Sequence, residues 1–530
     1  MTVALLQLPL ELLCHALIFL PSRDILRVSV TCKYFKAAVD NSPRLQYILD
    51  LAFYQMVSAK SLESGSFIST RSNLLRGREH AWKHMKYKKK CTLPIPQTGH
   101  VYEFAGGIYG NATGSLIHFV KLPTAENMQS MRGWTHPTTS WILVDFTFSP
   151  ADDLLVVVAH PESEEAHAYD IHLRTLSTNE AHPRAASSTL HSINRSLISH
   201  EFSEPASAIK VQVVGDFVAL LCRDVLLPTY ELGASLQIWN WTEKRETKIT
   251  KTFLDGIDDF SFLSNNAFLV LTVIGIIELY TFPEDLSGPP KCTGRYALPE
   301  LKQEYIYSCT FMSGNPTPGS GVPCSGGGQL EDGQLFQPDP DKQLLVFFVS
   351  IISQSDMEEA QSFIFFVDLV HFFQQNTVTK ILLADPELEN MPVPWSVWGL
   401  EHTRWFPESE ATDWQHALYG YKAVETINCD PTNQLSQEPR RLRIRDFNPN
   451  VLKDNQRENN SGWKGHIVTG SLVDGTNLPF AEPLGAGLPY REIVSEEKFN
   501  VTEVMMDDCR ILLLKREAGG ELKSIDVLMM

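Results

Sequence analysis

Paired cysteines, long apolar runs and positive charge are all scarce in this 530-residue chain. The nine cysteines (Cys14, Cys32, Cys91, Cys222, Cys292, Cys309, Cys324, Cys429 and Cys509) include no C-x-x-C pair, which argues against a zinc ribbon and against a disulfide scaffold. Free thiols in a reducing compartment, cytoplasmic and/or nuclear, are expected. No stretch reaches the ~18 apolar residues of a membrane helix, so no membrane partner is expected. The longest candidates, Phe268–Ile277 and Leu344–Ile352, are rich in β-branched and aromatic residues and read as buried strands. The apolar start, Met1 to Leu20, has no basic segment and is broken by Gln7, Pro9, Glu11 and His15, so it is not read as a secretion signal. The five N-x-[ST] sequons, at Asn111, Asn194, Asn240, Asn459 and Asn500, then read as chance. Lys and Arg number 45 against 63 Asp and Glu, a net charge of −18, which excludes a basic nucleic-acid coat. Catalytic signatures are missing as well: there is no G-x-S-x-G elbow, H-E-x-x-H, Walker loop or EF-hand loop. No enzymatic activity, cofactor or metal is expected.

What is present is a hydrophobic fraction of 43% with 20% charged residues, a composition that builds large cores and excludes disorder as the dominant state. The charge is uneven. Residues 1–90 hold 14 Lys/Arg and 6 Asp/Glu, a net +8, which leaves 31 against 57, a net −26, for the rest. A boundary near residue 90 follows.

Ahead of that boundary the apolar period is helical. Leu12, Leu13, Leu17 and Leu20 are followed, after a break at Pro21-Ser22, by Ile25, Leu26, Val28, Val30 and Phe35. About forty residues this rich in leucine cannot bury them all internally, so some of the surface should meet a partner. Leu8-Pro9-x-Glu11-Leu12-Leu13, then Phe19-Leu20-Pro21-x-x-Asp24-Ile25-Leu26-x-Val28, then Val30-Thr31-Cys32-Lys33-x-Phe35 together resemble an F-box. The resemblance implies docking onto a Skp-family adaptor and, through it, a cullin scaffold of a ubiquitin ligase. It assigns the adaptor contact to Leu8, Pro9, Leu12, Leu13, Leu20, Pro21, Ile25 and Leu26, an apolar helix-in-groove contact. Thr31 and Tyr34 depart from the commoner family residues without touching the Leu-Pro anchor. Cys32 reads as a buried small hydrophobe rather than a nucleophile. A second helical segment over residues 70–90 places Leu74, Leu75, Trp82 and Met85 on one face and resembles the Glu-x-x-Trp segment that follows the F-box in many fungal members; it reads as a brace. The basic run Lys86-Tyr87-Lys88-Lys89-Lys90 reads as the solvated end of that helix, with a nuclear signal or a phosphate contact as the alternatives.

After residue 98 the pattern becomes extended, and a unit of strand, polar turn, apolar strand and aromatic-ended strand recurs. Clear copies begin at Val144, Ile209, Asp259 and Asn500, and the step from Ile238-Trp239 to Leu279-Tyr280 is 41 residues, the length of a propeller blade. Weaker copies are Val101–Leu122; Tyr305–Met312 with Gln343–Ile352 and Ser362–Leu369; and Val393–Trp398 with Ala417–Ile427 and Arg441–Phe447. The expected architecture is therefore multidomain, α plus all-β. Its parts are a helical F-box over 1–50, a helical linker over 51–98, and a degenerate WD-like β-propeller of about seven blades over 99–530. A sandwich pair or a six-bladed ring would fit the same spacing. Closure is expected from the Val101 strand pairing with the last blade. Polar insertions are expected near 177–207, 313–343 and 428–466; the second, with seven glycines and five prolines, reads as a disordered loop, and its Gly319-Ser320-Gly321 lacks the context of a phosphate cradle. Arg441, Arg443 and Arg445 alternate as one solvated strand face, with an anion or phosphodegron site as the alternative, and His160, His167 and His172 read as exposed rather than ligating. Together with a β-rich repeat, the F-box resemblance implies a substrate receptor of an SCF-type ubiquitin ligase, whose target protein the sequence does not name. The alternative is a propeller scaffold or peptide reader outside the ligase, with the helices used for self-association.

Overall fold

The computed structural model describes residues 8–59, 67–93, 99, 101–162, 167–193, 207–224, 234–243, 249–253, 256–283, 288–318, 335–355, 360–373, 391–408, 412–428, 439–455, 465–470, 478–516 and 522–530. Five helices open it: α1 (Leu10–Leu17), α2 (Ser22–Ser29), α3 (Lys33–Asn41), α4 (Pro43–Phe53) and α5 (Ile68–His84). Proline sets where the first two begin. Pro9 and Pro21 stand at the N-caps with φ of −52° and −55°, a ring-fixed geometry that leads straight into the first turn. Ser42 caps α4 by accepting the Leu45 amide, with Pro43 at the next position.

The rest is a ring of seven antiparallel sheets among the described residues. Blade 1 runs Val101–Ala105, Ile108–Thr113, Leu116–Lys121, Arg132–Pro137 from the centre outward, and blade 2 runs Ile142–Ser149, Leu154–His160, Asp170–Thr175, Thr189–His191. Blade 3 holds Ser207–Val214, Phe217–Asp224, Ala234–Asn240 and Ile249–Phe253; blade 4 holds Ile257–Ser264, Ala267–Thr272, Ile276–Thr281 and Lys291–Ala297. Blade 5 holds Tyr305–Ser313, Leu344–Ser353, Ala360–Asp368 and Thr403–Pro407. Blade 6 has five strands, Leu418–Tyr419, Lys422–Ile427, Arg441–Asp446, Tyr490–Val494 and His466–Val468. Blade 7 is built from Glu503–Met506, Arg510–Arg516, Leu522–Met529 and, outermost, Lys89–Leu93.

The continuous apolar runs follow from this ring. A middle strand of a blade faces a neighbouring blade on both sides, so both sets of alternating side chains must be apolar. In Leu154–His160, Leu155 and Val157 join the core shared with blade 1, while Leu154, Val156 and Val158 join the core shared with blade 3. Phe217, Ala219 and Leu221 likewise turn toward blade 4, and Val218 and Leu220 toward blade 2. The 41-residue step is the distance between the third strands of blades 3 and 4.

Closure differs from the expectation. Val101–Ala105 is the innermost strand of blade 1, and the last blade is completed by Lys89–Leu93, which pairs with Leu522–Met529 from Lys89↔Met529 to Leu93↔Ile525. The helix that was expected to reach residue 90 ends at His84, where Met85 turns left-handed at φ 49°. The basic run is therefore not a helix end. Lys88 and Lys90 pair with Glu126 and Asp526, and the Tyr87 hydroxyl donates to Glu497. Two further segments depart from expectation. Trp395–His402, which overlaps the expected strand Val393–Trp398, is a helix started by Pro394 that buries Trp395 and Trp398 against the core of blades 4 and 5. Within the stretch read as a disordered loop, Phe336–Pro338 is a strand paired with Met56–Ser58, while residues 319–334, with Gly319-Ser320-Gly321, lie outside the described residues.

A candidate adaptor-docking face and the charged centre of the ring

Inside the N-terminal module, Leu13, Leu17, Ile25, Ala38, Val39 and Leu45 form one buried core, with Leu8 and Leu20 half-buried against it. The expected contact residues thus divide. Leu13 and Ile25 point inward and hold the helices together, while Pro9, Leu12, Pro21 and Leu26 are exposed. Leu12 and Leu26 keep 55% and 53% of their surface open. The exposed apolar set also includes residues that were not assigned to the adaptor contact, Leu10, Phe19 and Val30. Phe19 follows Leu12 by seven positions, two helical turns, and this spacing was the available signal. Its ring meets His15 edge-on at 5.4 Å. Cys32 is only half-buried, at the N-cap of α3.

A brace fastens this module to the ring. In α5, Arg71, Ser72, Leu75, Glu79, Ala81 and Trp82 are buried. The Trp82 indole N–H donates to the Asp508 carbonyl at 3.0 Å, Arg78 forms an ion pair with the Asp508 carboxylate, and Glu79 pairs with Lys422 at 3.0 Å. Arg78 also lies over the Phe336 ring at 4.5 Å. Asn448 and Asn450 donate side-chain N–H groups to the Phe53 carbonyl at the end of α4, at 3.1 and 3.2 Å. All these anchors lie on the turns that leave the outer ends of the innermost strands of blades 5 to 7 and on the loop after Asp446. Among the described residues, the connections at the opposite end, with Leu116, Ile142 and Ile274 exposed, carry none of them.

The innermost strands of blades 1 to 6 line a cavity of about 530 Å³. Its charges are tied to one another from blade to blade. Lys210 donates to both carboxylate oxygens of Asp259 at 2.9 and 2.8 Å and to the Met312 carbonyl at 2.9 Å, which links blades 3, 4 and 5. The buried His416 places Nδ1 2.8 Å from Asp413 and Nε2 3.0 Å from Glu103, joining blade 1 to the segment that leads into blade 6. Burial alone would depress its pKa; the two carboxylates outweigh it and raise it to about 10, so the ring is an imidazolium at neutral pH. Asp145 has its own backbone neighbour, the Phe146 amide, as a donor at 2.8 Å, and burial, with Glu103 nearby, pushes its pKa up to about 7. Burial likewise pushes Asp258 to about 6 against the pull of Thr310 and Arg223. Sequence reading placed these strands but not their charges; the signal was the repeated acid-Phe step at Glu103-Phe104, Asp145-Phe146 and Asp259-Phe260.

The arginines read as a solvated face are not one. Arg445 is buried, pairs with Glu425 at 2.7 Å and lies over the Phe406 ring at 4.0 Å, and Arg443 pairs with the same Glu425 at 2.9 Å. Two groups of potential metal ligands occur among the described residues, His167/Asp170/His191 and Asp507/Asp508/Cys509. In the second group guanidinium ions already hold both carboxylates, Arg510 on Asp507 and Arg78 on Asp508. None of the seven described cysteines forms a disulfide.

Comparison with known proteins matches the F-box domain family to residues 5–47. No curated protein matches the chain. Among solved structures, it is similar to the WD40 domain of SCAP from fission yeast, at 8% identity and TM-score 0.32 over 82% of each chain. It is also similar to Hsv2 of Kluyveromyces lactis, at 7% identity and TM-score 0.29 over 66% of this chain and 94% of that one. A third is the β-propeller domain of Cps50 (Swd1) from Myceliophteria thermophila, at 10% identity and TM-score 0.24 over 73% and 97% of the two chains. The chain carries an F-box domain followed by a β-propeller.

Proposed function

We propose that this chain is the substrate-receptor subunit of an SCF-type ubiquitin ligase. The observation that carries the reading is the F-box match at residues 5–47 on a module whose apolar face is open. Through Pro9, Leu12, Pro21 and Leu26, joined by Leu10, Phe19 and Val30, that face docks on a Skp-family adaptor, which in turn sits on a cullin scaffold. Leu8, Leu13, Leu20 and Ile25 support the same contact from beneath. The propeller captures a target protein. The chain then acts by holding its target near the ubiquitin-charged enzyme, a proximity effect that requires no bond chemistry of its own. One feature favours this division of labour: a brace pinned at Trp82, Arg78 and Glu79 joins the helical module to the ring. The free thiols fit a reducing compartment, cytoplasmic and/or nuclear.

Affinity capture of the full chain from cells, comparing wild type with Leu8→Ala/Pro9→Ala, tests the reading. Wild type should bring down the adaptor and a cullin and the variant should lose both. Capture of neither by the folded wild type, or equal capture by the variant, overturns it.

A further inference from the structure

The rim of blade 2 gathers three side chains that have no role in the receptor reading. Asp170 opens the third strand of the blade and His191 closes the fourth, and the two are directly opposite in the antiparallel register. His167 stands three residues ahead of Asp170. His191 Nδ1 lies 2.8 Å from Asp170 Oδ1 and His167 Nε2 lies 3.6 Å from the same atom. The two imidazole rings are 4.3 Å apart, centroid to centroid. The ion pairs of Asp170 among the described residues are both with histidine, in contrast to Asp507 and Asp508, where arginine takes the place of a cation.

We propose that His167, Asp170 and His191 form a zinc site. Two imidazole nitrogens and one carboxylate oxygen are the donor set of an open tetrahedral zinc, with water in the fourth position. A zinc ion with bonds of about 2.0–2.1 Å sets its ligand atoms about 3.3 Å apart. The two observed separations, 2.8 and 3.6 Å, bracket that edge, and all three ligand atoms lie within 4.8 Å of one another, so side-chain rotation without backbone movement seats the ion. The Asp170 carboxylate, set between two imidazole rings, is the anionic donor that a divalent cation requires, and His191, about half exposed, leaves the fourth position open to solvent. The neighbouring histidines are otherwise engaged. His172 has Nδ1 3.1 Å from the Thr189 hydroxyl and stacks on Trp141 at 4.3 Å, and His160 packs against Tyr169. The three histidines closest in sequence do not make the site; the cross-strand register does, by bringing in His191. A bound ion would tether the approach to Asp170–Thr175 to Thr189–His191, an outer strand of only three residues.

The test uses the full chain, stripped with a chelator and then titrated with zinc chloride in competition with a chromophoric chelator. Wild type and His172→Gln should each hold one more equivalent of zinc than His167→Gln/His191→Gln, and each single change at His167, Asp170 or His191 should weaken that equivalent at least tenfold. Cobalt(II) in its place should give the visible bands of a four-coordinate site in wild type and not in the double variant. Since His167 and His191 are partly exposed, metal-free thermal unfolding should be the same for all variants. Equal zinc uptake by wild type and double variant overturns the proposal, and so does loss of the equivalent in His172→Gln. Neither result depends on whether the adaptor binds.

Discussion

Asp446 and Arg491 are among the most enclosed charges in the chain, with side chains 1% and 3% exposed and 2.7 Å apart. Breaking such a buried pair by removing one partner costs about 3–5 kcal/mol. Asp446 also accepts the Asn448 amide at 3.1 Å, so Asp446→Asn loses charge while keeping an acceptor. Chemical denaturation should show Asp446→Ala less stable by about 3–5 kcal/mol and Asp446→Asn by less; a change under 1 kcal/mol in both would show that the pair does not matter. His416 gives a pH dependence. Its folded pKa, raised to about 10, lies above the ordinary histidine value, so the folded state holds an extra proton between those limits. The stability it contributes is complete below about pH 6.5 and is lost as the pH rises through about 10. Between pH 7 and pH 9 the melting temperature of wild type should therefore fall more than that of His416→Gln; parallel curves would contradict the assignment. These residues were hidden in the sequence for a plain reason. Period-2 alternation marks Arg441, Arg443 and Arg445 as sharing a face, but which face meets Phe406 and Glu425 depends on a neighbouring strand and blade.

At the scale of elements, α5 and the strand that follows it couple the two halves. Trp82 is 1% exposed within the core of blades 6 and 7 and its indole N–H is used, so Trp82→Ala should destabilise the chain by about 3–5 kcal/mol and expose the brace to limited proteolysis. Unchanged proteolysis would show that the brace is held elsewhere. Lys89–Leu93 supplies the outer strand of blade 7, so the division at residue 98 suggested by the onset of the extended pattern would remove part of the ring. A fragment of residues 99–530 leaves the edge of Leu522–Met529 open and should aggregate or melt well below a fragment of residues 86–530. Equal melting of the two would mean that the closing strand adds nothing. The helix within α5 was legible from Leu74, Leu75 and Trp82, but its end was not. Five residues of lysine and tyrosine carry no apolar period, and only the partner strand decides that Lys89 and Lys90 extend instead of coiling.

For the molecule as a whole, the repeat was the legible part. Buried strands of near-continuous apolar residues at blade spacing are what a ring imposes on every middle strand, and the Leu-Pro blocks of the first forty residues carry their own pattern. What the sequence left open was how seven sheets close and which leucines of the first module face outward, because both depend on contacts between segments far apart in the chain. The central claim is that the outward set docks the chain on a Skp-family adaptor. Leu12 and Leu26 are the residues with which to test it, since both lie on the surface and their truncation should change stability by no more than about 0.5 kcal/mol. The direct measurement is the affinity of the purified full chain for a purified Skp-family adaptor, wild type against Leu12→Ala/Leu26→Ala. The account predicts measurable binding by wild type, weakened at least tenfold in the variant, with both proteins melting alike. No binding by the folded wild type, or equal affinity in the two, would contradict it.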